Sequence, residues 1–277
     1  MAKADAPTYL LEGRYLAETL LAQGESTDVF KGTDTWSNEL VAIRMLRADR
    51  PDREAMFRRK SERLFGATSS RLVRVMAMGE DKKGRPFLVT ELLVGRTADT
   101  LGTVRWEVGC EITRQAAAAL AELSVLDLHH GSLTASKLFV ANISTGGSRV
   151  KLIDLGAGER GATASKDVHA LATILYRLLT GKPPLPPKAR AGPMKLNVRG
   201  APPRLSHALE QWLDADAEGL EPAEVASELK SLVEAAVDIY GKQGETGVPK
   251  SGTHLGDRTS LIMLGDAGDD DDADEGA

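Results

Sequence analysis

Three short stretches place a reactive side chain at the edge of an apolar run: Val41-Ala42-Ile43-Arg44, His130-Gly131-Ser132-Leu133, and Asp154-Leu155-Gly156 following Val150-Lys151-Leu152-Ile153. Each offers different chemistry. Arg44 is a permanent cation in a planar fork suited to phosphate or carboxylate oxygens. Ser132 carries a hydroxyl, which does not act as a base unaided at neutral pH. Asp154 supplies a single carboxylate, a poor site for a divalent cation by itself. Lys137, shortly after Ser132, supplies an ammonium. Cys110 is the one cysteine in the chain, so an intrachain disulfide and a cysteine-based zinc cluster are both excluded. Its apolar helical surroundings suggest a buried structural thiol.

These groups must be held by a substantial core, and 277 residues suit one large domain or two packed lobes. The net charge of −5 is unevenly spread: Asp266 to Ala277 hold seven carboxylates and no base, leaving 35 bases against 33 acids elsewhere. Such an acidic block repels itself and has little to bury, so residues 241–277 are expected to be a flexible, disordered tail. No apolar run approaches the ~20 residues needed to span a bilayer, and the first residues lack the apolar core of a secretory signal. A cytoplasmic location is expected, with neither a membrane nor a nucleic-acid partner.

The positioning elements change character along the chain. Leu16 to Phe30 and Leu40 to Leu46 read as strands, Asp52 to Phe65 has helical spacing, and Leu72 to Met78 with Phe87 to Leu93 suggests a hairpin turning at Asp81-Lys82-Lys83-Gly84-Arg85. From about residue 104 helices dominate: Glu107 to Leu123, Lys166 to Leu179, Leu205 to Trp212 and Pro222 to Val237. The extended pieces Leu138 to Val140 and Val150 to Ile153 lie between the first two. Lys182 to Pro203 holds seven of the twelve prolines and reads as a stiff, irregular connection. A strand-rich half followed by a helix-rich half gives an α+β class with two lobes.

In their order and spacing the three motifs resemble those of bacterial Ser/Thr protein kinases, over about residues 12–237. Gly13-Arg14-Tyr15 resembles the opening of such domains, and Leu21-Ala22-Gln23-Gly24-Glu25-Ser26-Thr27-Asp28-Val29-Phe30 their glycine-rich loop. The resemblance implies a bilobal kinase-like fold. It comprises an N-terminal extension at 1–11, an N-lobe of small sheet and one helix at 12–94, a C-lobe at 95–240 with a shortened activation segment, and the tail at 241–277. It also implies a nucleotide pocket around Gly24, Arg44, Thr90 and Asp154, with Thr90 at the gatekeeper position of an adenine site. Leu64, Val75, His130 and Leu155 fall on an apolar spine, and Asp167 falls where an aspartate ties the catalytic loop to a helix.

Several matched positions depart from the family pattern. Arg44 replaces the lysine that holds the nucleotide's phosphates. Lys60 stands where a glutamate would pair with that lysine, and like charges ~4 Å apart repel by ~4 kcal/mol at an effective dielectric near 20. Glu62 lies on the opposite helix face. Ser132 replaces the aspartate base, Thr134 the assisting lysine, and Lys137 the metal-holding asparagine, from where an internal salt bridge to Asp154 is expected. The ten residues from Ala157 to Lys166 contain no peptide-docking A-P-E motif.

The substitutions lead to the expectation of a catalytically inactive kinase homologue, not an enzyme, serving as an interaction or regulatory scaffold. The alternatives are a nucleotide sensor without phosphotransfer and an enzyme of altered nucleotide chemistry. No metal or other cofactor is expected, although ATP is admitted without magnesium. The expected partners are proteins, such as a kinase or a phosphopeptide reader. The basic stretch from Arg44 to Lys60 and Arg63 is a candidate docking face for an acidic partner or the chain's own tail. Thr253, Thr259 and Ser260 are candidate phosphorylation sites beside the apolar run Leu261-Ile262-Met263-Leu264.

Overall fold

The computed structural model describes residues 9–142, 148–158, 161–186, 194, 196–214 and 218–243. Its first half is a six-stranded antiparallel sheet in the order β1-β2-β3-β4-β6-β5. The strands are β1 (Tyr9–Leu11), β2 (Tyr15–Gln23), β3 (Thr27–Asp34), β4 (Glu39–Leu46), β5 (Val75–Glu80) and β6 (Pro86–Glu91), with helix α1 (Glu54–Gly66) between β4 and β5. Strand β1 pairs Leu11 with Tyr15 and Leu10 with Leu16, so the sheet starts within residues 1–11. The boundary expected at residue 12 is corrected accordingly: the buried Leu11 is already part of the core.

Alternation along β4 explains the two faces of this lobe. Val41, Ile43 and Met45 enter one apolar cluster with Leu11, Tyr15, Phe30 and Phe87. The intervening Ala42, Arg44 and Leu46 point the other way, as the two-residue period of a strand requires. Leu46 joins the main core with Phe57 and Leu64 of α1. One face of β4 therefore holds the lobe together while the other presents Arg44 to the opposite lobe.

The second half begins with β7 (Gly95–Thr97), which pairs with β8 (Leu138–Asn142), itself paired with β9 (Ser148–Leu152). Gly95 has φ +153°, and a Cβ there would lie 2.2 Å from the carbonyl oxygen of Val140, so the close strand crossing needs glycine. The helices are α2 (Trp106–Val125), α3 (Ala164–Thr180), α4 (Pro203–Trp212) and α5 (Pro222–Gln243). Ala116, Ala117 and Ala119 keep α2 slim where it is buried in the helical core. At α3, the Thr163 side chain accepts from Lys166 N at the start, while Gly181 closes the end in the left-handed conformation at φ 73°. This fixes Asp167 in the first turn.

The two halves join through one main core that includes Leu64, Leu72, Leu88, Leu120, Leu155 and Leu171. Leu72 and Leu152 form a parallel bridge between the halves, and Val73 N donates to Leu152 O at 2.8 Å. The architecture is α+β with two lobes, a sheet with one helix followed by a mainly helical half. Among the described residues no helix is long and apolar enough to cross a membrane.

Candidate nucleotide site

Arg44, from the inward face of β4, reaches the turn that follows β9, where its Nη1 lies 3.6 Å from Asp154 Oδ1. Both side chains are partly buried, at 21% and 13% exposure. Arg44 also lines a slot together with Val29, Ala42, Leu88, Thr90, Leu93 and Ile153. Ala42 and Thr90 are register partners across β4 and β6, which places both on its wall. The enclosed space is about 20 Å³, roughly one water, opening into about 380 Å³ that includes bulk solvent. Binding pockets for small molecules run to ~300 Å³ or more. The enclosed part of the slot is smaller than that.

The segment Gln23–Thr27, between β2 and β3, is pinned from the side. Gly24 N donates to Thr27 O at 2.8 Å, closing a tight turn, and Gly24 is not among the glycines with positive φ. Arg47 N donates to Ser26 O at 2.9 Å, and Arg50 Nη1 to the Glu25 carbonyl at 3.2 Å and the Glu25 carboxylate at 2.9 Å. Asp49 and Asp52 each grip one of these guanidiniums through two hydrogen bonds. Arg58 likewise engages Glu54 and Glu80. Much of the positive charge read as a docking face is thus taken up locally.

Below the slot, Lys137 is buried at 5% exposure. Its Nζ donates to Ser132 O at 2.6 Å and Ser132 Oγ at 3.0 Å. Arg44 also lies within ion-pair distance of Asp154, at 3.6 Å from the opposite lobe. Thr134 is exposed, its hydroxyl 2.9 Å from that of Ser136, outside the Lys137 and Ser132 contact.

His130 is fully buried. Its Nδ1 accepts from Ser132 N at 3.3 Å. Burial, followed by the nearby Lys137 charge, lowers its pKa to about 3, so the ring is neutral. Asp167, 3% exposed, accepts from His130 N at 2.7 Å and Gly131 N at 2.9 Å. Burial pushes the Asp167 carboxyl pKa up, against the opposing pull of these two donors. Leu64 and Leu155 are buried in the same core, against which the half-buried Val75 packs.

Helix α1 carries Lys60 half-buried and Glu62 exposed. Arg63 on this helix crosses to the other lobe. Its Nη2 donates to His129 O at 2.8 Å and its Nη1 donates to Gly156 O. This role carries no sequence signal, because Arg63 is one of several arginines in a basic stretch and its partners are backbone oxygens far along the chain. Lys151 Nζ, donating to the Glu91 carboxylate and to Leu72 O at 3.2 Å, is a second inter-lobe link missed for the same reason. Helix α5 runs through residues 241–243, which were expected in the flexible tail, while Thr253, Thr259, Ser260 and the rest of the tail from 244 onward lie outside the described residues.

No family model matches the chain. Among curated proteins it is 29% identical to the probable serine/threonine-protein kinase PknB of Corynebacterium glutamicum, covering 64% of this chain and 33% of that protein. It is 27% identical to the DNA damage-responsive serine/threonine-protein kinase RqkA of Deinococcus radiodurans, covering 64% of this chain and 31% of that protein. The chain thus spans about a third of the length of these relatives. The crystal structure of the Mycobacterium tuberculosis PknI kinase domain superposes with a TM-score of 0.63 at 21% identity, covering 83% of this chain and 100% of that one. This chain has a protein kinase-like fold.

The relatives also correct the functional expectation. An inactive, non-enzymatic scaffold was inferred from the substitutions at Arg44, Lys60, Ser132, Thr134 and Lys137. The matching proteins are named as serine/threonine-protein kinases, which are enzymes, and their names carry no sign of lost activity. Residue identity at single positions overstated the loss, since charged groups from both lobes still converge on the cleft.

Proposed function

We propose that this domain is a slow phosphotransferase of the protein kinase type, moving a phosphoryl group from ATP to a hydroxyl of a protein substrate. The observation that carries this reading is the opposition of Arg44 and Asp154 across the cleft, with Arg44 itself lining the apolar slot. The kinase names of the relatives support it.

Phosphoryl transfer asks for positioning and charge stabilisation more than for covalent help from the protein. Arg44 can release Asp154 and turn its guanidinium to the phosphates of the nucleotide, an exchange of one oxyanion for another. Among the described residues no group of three or more His, Cys, Asp or Glu side chains is placed to hold a metal ion. Magnesium bound through substrate phosphates needs only one or two protein carboxylates, so Asp154, once released, fits that requirement. When bound, such an ion supplies positive charge at the phosphate oxygens.

Ser132 and Lys137 stand where the acceptor hydroxyl arrives. The Lys137 ammonium lends positive charge there, and the acceptor proton departs to solvent. A missing carboxylate base costs roughly 10² to 10⁴ in rate. Turnover is accordingly slow. Thr253, Thr259 and Ser260 are candidate acceptors within the chain itself, alongside a separate protein partner.

The test is incubation of the full chain with γ-labelled ATP and magnesium, with and without a generic protein acceptor. Label should enter protein over hours and be lost in Asp154→Ala. ATP binding with no labelled product after prolonged incubation would refute phosphotransfer.

A further inference from the structure

Arg63 stands at a crossing of three segments. Its guanidinium donates to the carbonyl of Gly156, in the turn that carries Asp154, and at 2.8 Å to the carbonyl of His129, at the start of the loop that carries Ser132. These two segments are themselves tied, since Gly156 N donates to His130 O at 3.0 Å. The chain then passes directly over the guanidinium. Gly158 has φ +82°, and a Cβ there would lie 3.6 Å from Arg63 Nε and 3.7 Å from its Cδ and Cζ. At the other end the neighbouring Leu64, 2% exposed, anchors α1 in the core.

Arg44 takes its ion-pair partner from the Asp154 turn, so a contact between Arg44 and an acid on α1 is not what links the helix to the cleft. Lys60, at the position matched to such an acid, has the wrong sign for it. Arg63 lies one turn further along the same face. A guanidinium fork holds two carbonyl oxygens at fixed directions, which a single ammonium cannot reproduce. Displacement of α1 would therefore pull on Gly156, two residues from Asp154, and on His129 next to the Asp167-held loop.

We propose that Arg63 is the positioning residue through which helix α1 sets the placement of Asp154 for phosphoryl transfer. This rests on the kinase-type reading of the cleft. Anything that shifts α1 is thereby transmitted to the carboxylate through backbone oxygens.

The test compares full-length wild type, Arg63→Met, which keeps an unbranched apolar stem, and Arg63→Lys, which keeps the charge but not the fork. Without nucleotide, amide hydrogen exchange across 154–158 should rise at least severalfold in Arg63→Met while protection within α2 and α3 stays unchanged. With ATP and magnesium, kcat should fall roughly tenfold to a hundredfold, the scale of a misplacement remote from the reacting atoms, with KM for ATP changed little. Arg63→Lys should recover part of both effects. Unchanged exchange at 154–158 in Arg63→Met overturns the proposal, as does an equal fall in kcat in the two variants with no rescue by lysine. If wild type transfers no phosphate, the kinase reading fails. Exchange at 154–158, together with the magnesium dependence of ATP binding in each variant, then decides the role of Arg63. Loss of that dependence in Arg63→Met upholds the placement of Asp154, and its retention overturns it.

Discussion

Arg44 and Asp154 face each other across the cleft at 3.6 Å, each from a different lobe and each partly open to solvent. An ion pair of this kind contributes ~0–1 kcal/mol to stability. Its importance lies in what the pair can exchange for nucleotide. Asp154→Ala should therefore leave the melting temperature nearly unchanged while abolishing any magnesium dependence of ATP binding. Arg44→Ala should weaken ATP binding by roughly tenfold or more, as expected for loss of a charge-assisted contact worth ~1.5–3 kcal/mol. Thermal-shift titration with ATP, with and without magnesium, reads both. A marked fall in melting temperature for Asp154→Ala without ligand would show that the pair is structural.

Asp167 accepts two backbone N–H groups from the loop that carries Ser132. Its replacement by alanine leaves both donors buried and unpartnered, a loss of about 2–5 kcal/mol. Asp167→Asn should retain part of that stability, having one acceptor oxygen where aspartate has two. Urea denaturation of the two variants should rank alanine below asparagine and both below wild type. Equal midpoints for all three would remove Asp167 from the account of this loop.

How much of this was legible in the sequence follows from what each contact depends on. The strands and helices showed in apolar periodicity, and the cleft residues in their order and spacing, because both are local patterns. The contact between Arg44 and Asp154 did not show, because it depends on the strand face that turns Arg44 inward across the cleft. Arg63 was invisible for another reason, since backbone carbonyls carry no residue identity to search for. Strand β1 was missed because three residues with one buried leucine make too short a pattern. The loss of activity was over-read because a missing side chain is conspicuous in a motif, while charge supplied from elsewhere in the fold is not.

Cys110 has no exposed surface, and burial pushes its thiol pKa up to about 12. Only the thiolate is a good nucleophile. The native protein should therefore resist a maleimide or aromatic disulfide reagent for hours and react with one equivalent once unfolded in guanidinium. Rapid labelling under native conditions would mean that α2 opens far more readily than its packing indicates.

His130 makes the stability of the domain sensitive to mild acid. The buried ring has a pKa of about 3 in the folded protein against 6.5 for an exposed histidine, so between these values the unfolded chain binds a proton that the folded chain does not. Stability from this group is fully present above pH 6.5 and is lost as pH falls towards 3, at a limiting rate of about 1.4 kcal/mol per pH unit. Lowering the pH from 7 to 5 should cost about 2 kcal/mol on this account, before most carboxylates titrate. His130→Asn should start from lower stability at pH 7 and show a flatter profile over that interval. Denaturant midpoints at pH 7, 6 and 5 test the difference in slope; parallel profiles for wild type and variant would mean that another group carries the acid sensitivity.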